Sequence, residues 1–497
     1  MKKIFAILAI TLACVSCNKW LDINPRTEAR SEDLFSTEDG YKDALTACYI
    51  KMNDRSLYGE YMNMTVMECF AHLWTTSQSG TPLCYLATNF RFEDLQLRNA
   101  VNSMYYGLYN VIVQANTLIA REEESKEVLN SKLHSVIMGE AYALRAFCHF
   151  DVLRMFGQMP QNPTREVSLP YSTKVSKDAP AYYDYNSFLG KIMADIEKAD
   201  SYLKDAEALN YYTQFESNYG NAHSGHAISF DEPYAERYRK FRFNYYAVQA
   251  LKARIYTYTG DKAKAYAAAK SVIEAQGPDG NPIVELATDS DYVNNRFALP
   301  TECVFALSNF QLADYTVALL NGVSGAQVRS DQLYISLTNL NTLFNNVTSN
   351  NRYNYGWERS TTNAYGRQMP TIRKYYQVEK SAGMITTEVV PIFRLSEMYL
   401  IVMESTDNLA EAQALYNTYM RAHSVSDATQ FETKDQLDAE IINEYRREFF
   451  AEGQMFFTYK RTGATKMLWR NQEVGEDQYI LPLPDSEYDP GKVKSEN

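Results

Sequence analysis

Several things are missing from this chain of 497 residues, and each absence narrows its function. Apart from one N-terminal run, no apolar stretch approaches the ~20 residues a membrane-spanning helix needs; the others are short and broken by Tyr, Asn or Glu. There is no H-E-x-x-H, no G-x-S-x-G, no Walker loop and no G-x-G-x-x-G, so no familiar catalytic motif is present. A glycoside hydrolase needs only two carboxylates. Among 61 acids nothing singles out such a pair, which leaves surface glycoside hydrolysis as a remote alternative. Excess positive charge is also missing: the formal charge is −12, which argues against nucleic acid as a partner. Cysteines number seven, and the five beyond Cys17 are an odd number set far apart, which is no disulfide scaffold. Histidines number six, and the one close pair, His223 and His226, has no evident third ligand, so neither a metal nor a cofactor is expected.

What is present begins with a targeting segment. Lys2 and Lys3 precede an apolar run of ten residues, Ile4 to Ala13, too short to span a bilayer. Small residues then lead into Cys14-Val15-Ser16-Cys17, the layout of an export signal that ends at a cysteine to be lipidated. Either cysteine fits; Cys17 is preferred, because Asn18-Lys19-Trp20-Leu21-Asp22 already reads as mature chain. Residues 1–16 are then a signal peptide, and losing Lys2 and Lys3 takes the charge from −12 to −14. Three acyl chains on one cysteine anchor a protein firmly without a spanning helix. Cys48, Cys69, Cys84, Cys148 and Cys303 remain and read as buried free thiols.

The periodicity is mostly helical. Ser36, with Asp39 three residues on, marks the start of a helix to about Met52. Val101–Arg121 and Ser131–Phe156 carry apolar residues at three- and four-residue intervals, the second ended by Gly157 and Pro160. Phe243–Thr259 and Lys262–Ala275 form a helical hairpin about Gly260-Asp261, with small residues Ala250, Ala253, Ala265 and Ala268 for close packing. Arg394–Ser405 and Ala410–Ala422 repeat the plan, in the manner of degenerate tetratricopeptide repeats. The fold class is therefore all-α: tetratricopeptide-like hairpins as a scaffold, few short strands and a loop-rich face. Residues 17–497 are expected to form one body, about 17–240 being its N-terminal region and about 241–497 its C-terminal region.

Two long segments are not helical in pattern: Leu209–Arg242, and Ala298–Gln377 with its Asn-rich turns and many Tyr. Irregular segments of this length in a compact protein are often functional. Trp74 precedes the polar run Thr75-Thr76-Ser77-Gln78-Ser79-Gly80, with Tyr85 close behind. Tyr353-Asn354-Tyr355-Gly356-Trp357-Glu358-Arg359 is the densest aromatic–polar cluster. A ring face covers the apolar face of a pyranose while amides and hydroxyls bond its OH groups. Trp74, Tyr85, Tyr353, Tyr355 and Trp357 are thus the candidate ligand-binding residues, with Trp74 and Trp357 expected near each other in space. The plainer reading is that these rings pack the loops onto the scaffold. Trp20 and Trp469 read as structural, as do Glu140, Arg145 and the Arg446-Arg447-Glu448 run.

Several of these segments, in order, resemble the SusD/RagB family of nutrient-binding lipoproteins. Cys17 to Asp22 resembles its lipid-attachment start; Gly139-Glu140-Ala141-Tyr142-Ala143-Leu144-Arg145-Ala146-Phe147-Cys148-His149-Phe150 its best-marked helix; Asn244–Ile273 its middle hairpin. Pro391-Ile392-Phe393-Arg394-Leu395-Ser396-Glu397-Met398-Tyr399-Leu400, Arg446 to Gln454 with Lys460-Arg461, and Ile480-Leu481-Pro482-Leu483-Pro484 complete the set. The resemblance implies four tetratricopeptide-like hairpins and a lipid-anchored place on the outer membrane facing the exterior. It also implies a TonB-dependent outer-membrane barrel as partner, capped by this chain like a lid. The ligand it implies is most often an oligosaccharide, alternatively a peptide or other non-sugar nutrient. One departure is that acid first appears at Asp22, where surface-exported members carry it directly after the cysteine.

Overall fold

The computed structural model describes residues 32–176, 178–206, 241–276, 280–376 and 388–488. The signal segment, Cys17, Trp20, the two histidines and most of the Leu209–Arg242 loop lie outside the described residues. The first four long helices are α1 (Glu38–Met52), α2 (Leu95–Ile119), α3 (Ser131–Phe156) and α4 (Tyr185–Ala206). There follow α5 (Tyr245–Thr259), α6 (Lys262–Ile273), α7 (Leu395–Ser405), α8 (Leu409–Ala422), α9 (Lys434–Glu448) and α10 (Met455–Thr462). Strands are few, and among the described residues they pair only in twos, all antiparallel: β1 (Leu169–Pro170) with β2 (Tyr182–Tyr183), β3 (Cys303–Ser308) with β6 (Val389–Arg394), and β4 (Trp357–Glu358) with β5 (Thr371–Ile372).

Helix α3 is the centre of the N-terminal half. Every residue from Val136 to Phe156 is buried, because neighbours cover all sides of a helix that is mostly apolar. It packs between α2 and α4. Gly139 permits the close approach of α4: a Cβ there would meet Leu203 Cγ at 2.6 Å. The polar residues of α3 are each satisfied by another element, as burial demands. Tyr49 donates to Glu140. Arg145 forks onto Asp195 of α4 at 2.7 and 2.5 Å and reaches Asn116 of α2 at 2.8 Å. Tyr58 donates to Asp151 at 2.6 Å. Glu140 and Arg145 are structural, as expected, but each bonds outward and not to the other.

In the C-terminal half α5, α6, α7 and α8 pack in succession as two helical hairpins. Gly260 takes φ +83° at the end of α5, and Asp261 caps α6 through Lys264 N. Arg254 of α5 locks onto Glu397 of α7 with two bonds of 2.7 Å. The main apolar core runs without interruption from Phe35 to Leu481. The five described cysteines are free and buried.

The structure moves some boundaries. Thr37, not Ser36, caps α1, its Oγ1 accepting from Gly40 N at 3.2 Å; Ser36 donates to Asp33 O instead. Helix α2 starts at Leu95, six residues before the expected Val101, because Asp94 accepts from Gln96 N and opens the helix earlier. Helix α4 and the pair α9, α10 lie outside the helices read from the sequence.

One buried cluster joins the late segments. Arg394, 1% exposed, closes β6 and meets Glu448 Oε1 at 2.5 Å, Glu452 Oε1 at 2.7 Å and Glu302 Oε2 at 3.0 Å. Burial alone would raise the Glu448 carboxyl, but Arg394, His423 and Arg352 outweigh it and hold that carboxyl well below the usual carboxylate range. Removing Arg394 takes from the buried Glu302 its cation and leaves Glu448 to Arg352 and Glu452 to Lys374. Arg394→Ala should therefore lower unfolding stability by about 3–5 kcal/mol in chemical denaturation. A loss below about 1 kcal/mol would show that the cluster is not holding the fold.

Candidate functional site

Three segments distant in sequence are stitched together by backbone bonds into one loop-rich face. Thr75 N donates to Tyr334 O at 2.9 Å, and Ile335 N to Pro370 O at 3.1 Å. Val328 N donates to Thr362 O at 2.8 Å, and Thr362 N to Ala326 O at 3.0 Å. Gly80 lies so close to the next loop that a Cβ there would be 1.9 Å from Ser330 O. The loop after Trp74 and the Tyr353–Arg359 cluster thus belong to one surface.

Residues 357–372 form a hairpin on that surface. Trp357 pairs with Ile372 and Glu358 with Thr371; Met369 N donates to Thr361 O at 2.8 Å, and Asn363 N to Arg367 O at 2.9 Å. The turn is set by Asn363, whose Oδ1 accepts from Tyr365 N and Arg367 N, both at 3.0 Å, and by Gly366 at φ +72°. At its tip Tyr365 is 89% exposed, on a turn with all these backbone bonds made.

The two indoles do come together, with ring centroids 6.5 Å apart, but inside the protein. Trp74 is 3% exposed and Trp357 4%. Phe450 packs edge-on against both, at 4.8 and 5.0 Å. Trp74 Nε1 donates to Met64 O at 2.8 Å. Neither indole presents a free face, which corrects the expectation of two part-exposed platforms. Tyr353 is also buried, its hydroxyl on Asn341 Oδ1 at 2.8 Å and its ring edge-on to Phe344. Tyr355 is half-buried and stacks on Tyr292 at 6.3 Å. Tyr85 is half-buried on the short helix Pro82–Thr88. Trp469, expected to be structural, packs half-buried against the main core. Sequence reading passed over Tyr365. The signal available was the Asn-x-Tyr-Gly run inside a segment already marked as irregular.

The charges of the face are partly neutralised. Arg329 lies 2.7 Å from Asp331 and holds that carboxyl below its ordinary value. Burial raises Glu358, but Ser360 and Arg373, the latter at 2.5 Å, prevail and keep it lowered. Three partly open cavities among the described residues measure about 30, 30 and 10 Å³, too small for a sugar. The first, beside Trp357, Arg352, Lys374 and Glu448, has room for roughly one or two waters. Small-ligand pockets are an order of magnitude larger. No group of three His, Cys, Asp or Glu among the described residues is placed to hold a metal, and no described helix is long and apolar enough to cross a membrane. The arrangement can offer a rigid exposed ring, hydroxyls and amides on an open surface.

Known proteins share this architecture. Residues 253–490 match the family described as "SusD family", and residues 19–257 the one described as "Starch-binding associating with outer membrane". SusD-like protein P38 of Formosa agariphila is 22% identical over 96% of this chain and 95% of its own length. SusD-like protein P25 of the same organism is 22% identical over 32% of this chain, and the match spans only 31% of that protein. A SusD superfamily protein from Bacteroides thetaiotaomicron superposes with a TM-score of 0.69 at 21% identity, over 92% of this chain and 99% of that one. A laminarin-binding SusD-like protein gives 0.65 at 18% identity, over 92% and 99%.

Because the buried indole is held by Phe450 and Met64, Trp74→Ala should destabilise the protein by about 3–5 kcal/mol. Tyr365→Ala should leave thermal unfolding within about 1 °C of the parent, since its ring packs on nothing. Equal unfolding temperatures for the two variants would place Trp74 outside the core.

Proposed function

This chain belongs to the SusD/RagB family, and from that membership we propose that it is a cell-surface binding lipoprotein that captures an oligosaccharide and delivers it to a TonB-dependent outer-membrane barrel. In this reading residues 1–16 are removed, Cys17 carries the lipid, and residues 17–497 act as a single body that faces the exterior and caps the barrel. It binds and does not catalyse. The observation that carries the reading is Tyr365: an exposed ring on a turn held by Asn363, at the tip of a hairpin that also carries Gln368 and Ser360, paired through Thr362 with Gln327 and through Ser360 with Ser324. Such a ring covers the C–H face of a pyranose, and its neighbours bond the hydroxyls. A solved relative at 18% identity that binds laminarin supports a sugar over a peptide.

In this proposal the site role passes to Tyr365 from Trp74, Tyr353 and Trp357, which are buried. Truncating a binding aromatic commonly costs over ~2 kcal/mol. Tyr365→Ala should accordingly weaken binding of the oligosaccharide identified by a glycan screen by more than ~30-fold in calorimetry. Unchanged affinity would remove the hairpin tip from the site.

Anchoring has its own test. Lipidation supplies nearly all the membrane affinity in this reading. Cys17→Ala should move the protein from the membrane to the soluble fraction in cells. Retention of that variant, with release of Cys14→Ala, would shift the lipid to Cys14.

A further inference from the structure

We propose that the oligosaccharide taken by this face is anionic, bearing uronate carboxylates or sulfate esters, and that Arg359 and Arg367 receive them. The inference rests on the glycan-binding reading and deepens it. Residues 71–90 contain no Lys, Arg, Asp or Glu, and residues 321–376 contain only two acids, Asp331 and Glu358. Both acids are already engaged. Asp331 takes Arg329 through bonds of 2.9 and 2.7 Å. Glu358 takes Arg373 at 2.5 Å and Ser360 Oγ at 2.6 Å. Arg352 and Lys374 point the other way, into the buried cluster, where each meets glutamates.

Two cations remain without a carboxylate among the described residues. Arg359 touches only neutral groups: its Nη2 lies 3.2 Å from Asn354 Oδ1, and its guanidinium sits 4.8 Å from the Tyr353 ring centroid. That neutral support sets the guanidinium plane while leaving its charge unmatched. Arg367 is exposed two residues from Tyr365 on the same turn, its backbone N–H held by Asn363. Uncompensated cations on the hairpin that carries the exposed ring, Arg367 on its turn and Arg359 near its foot, run against a chain of net charge −12, so the overall charge does not explain them. A guanidinium presents paired N–H donors that match a carboxylate or sulfate. A uronate offers both features at once: an apolar C–H face for Tyr365 and an anion at the ring edge for an arginine. In an acidic protein such a face also draws an anionic chain locally where the rest of the surface repels it.

The test uses the mature protein with three probes: short oligogalacturonides, sulfated galactan oligosaccharides and uncharged laminarin oligosaccharides, each by calorimetry at low and high salt. One anionic probe should bind, more weakly at high salt because exposed charges are screened. The double variant Arg359→Ala/Arg367→Ala should weaken it by about tenfold or more, as expected for loss of a charge-assisted hydrogen bond. Unfolding temperature should be unchanged, and Arg367→Lys should restore part of the affinity by returning the charge without the fork. Preference for the galacturonide or the galactan identifies the anion as carboxylate or sulfate. Laminarin binding that needs Tyr365 but ignores both arginines overturns the anionic inference and leaves the glycan reading standing. Anionic binding indifferent to the double variant also overturns it. Binding of none of the three overturns the inference together with the reading beneath it.

Discussion

Arg394 is the residue on which the C-terminal half depends. A guanidinium buried without partners would be prohibitively unstable, so its position dictates where three glutamates must come. It draws Glu302 from ahead of β3 and Glu448 and Glu452 from the end of α9 to the end of β6. The same glutamates then hold the loops. Arg352 meets Glu444 and Glu448 at 2.8 Å each, and Lys374 meets Glu452 at 2.5 Å. Arg352 stands just before the hairpin of residues 357–372 and Lys374 just after it. Both feet of the exposed hairpin are therefore fastened to the charge cluster of the scaffold.

This arrangement explains which parts of the fold were legible in sequence. Helix α3 was readable to its ends because apolar residues recur along it at three- and four-residue intervals and Gly157 stops it. The hairpins α5–α6 and α7–α8 were readable from alanines at contact positions and a Gly-Asp turn. Helix α4 was passed over although its signal was there: Phe188, Ile192, Ile196, Ala199 and Leu203 recur at three- and four-residue spacing, flanked by Leu189 and Met193. Helix α9 escaped for a different reason. Its buried face includes Glu444, Arg447 and Glu448, which look like a solvated surface until Arg352 and Arg394 arrive from other segments. Polar residues reveal a buried face only through partners that are far away in sequence.

The same logic governs the site. The irregular region was located as a segment, since turn residues and aromatics mark loops locally, but the short helices Leu312–Leu319 and Leu337–Leu343 within it were not. Which aromatics lie open could not be read locally, because Phe450, far along the chain from both, covers the two indoles. Tryptophan is the ring most worth burying, so richness in tryptophan marked where the loops attach, not where they face outward. Net charge misled in a similar way. A value of −12 suggested a ligand held by stacking and neutral hydrogen bonds. That figure is a sum over the whole chain, and it does not record which cations of one face have been answered by local acids.

Between Asn351 and Tyr376 the chain carries five cations: Arg352, Arg359, Arg367, Arg373 and Lys374. Arg352 and Lys374 are spent on buried glutamates, and Arg373 on Glu358 within the hairpin. Those three fix the hairpin's position and internal register. Arg359 and Arg367 contribute nothing comparable to the fold, yet they sit on the element the other three hold rigid. Binding costs least when the receiving groups are already ordered. A ring and two guanidinia on a fastened turn meet that condition better than the same residues on a free loop. Structure and recognition are thus divided among residues of one type by a single criterion, whether a carboxylate of this chain already faces them.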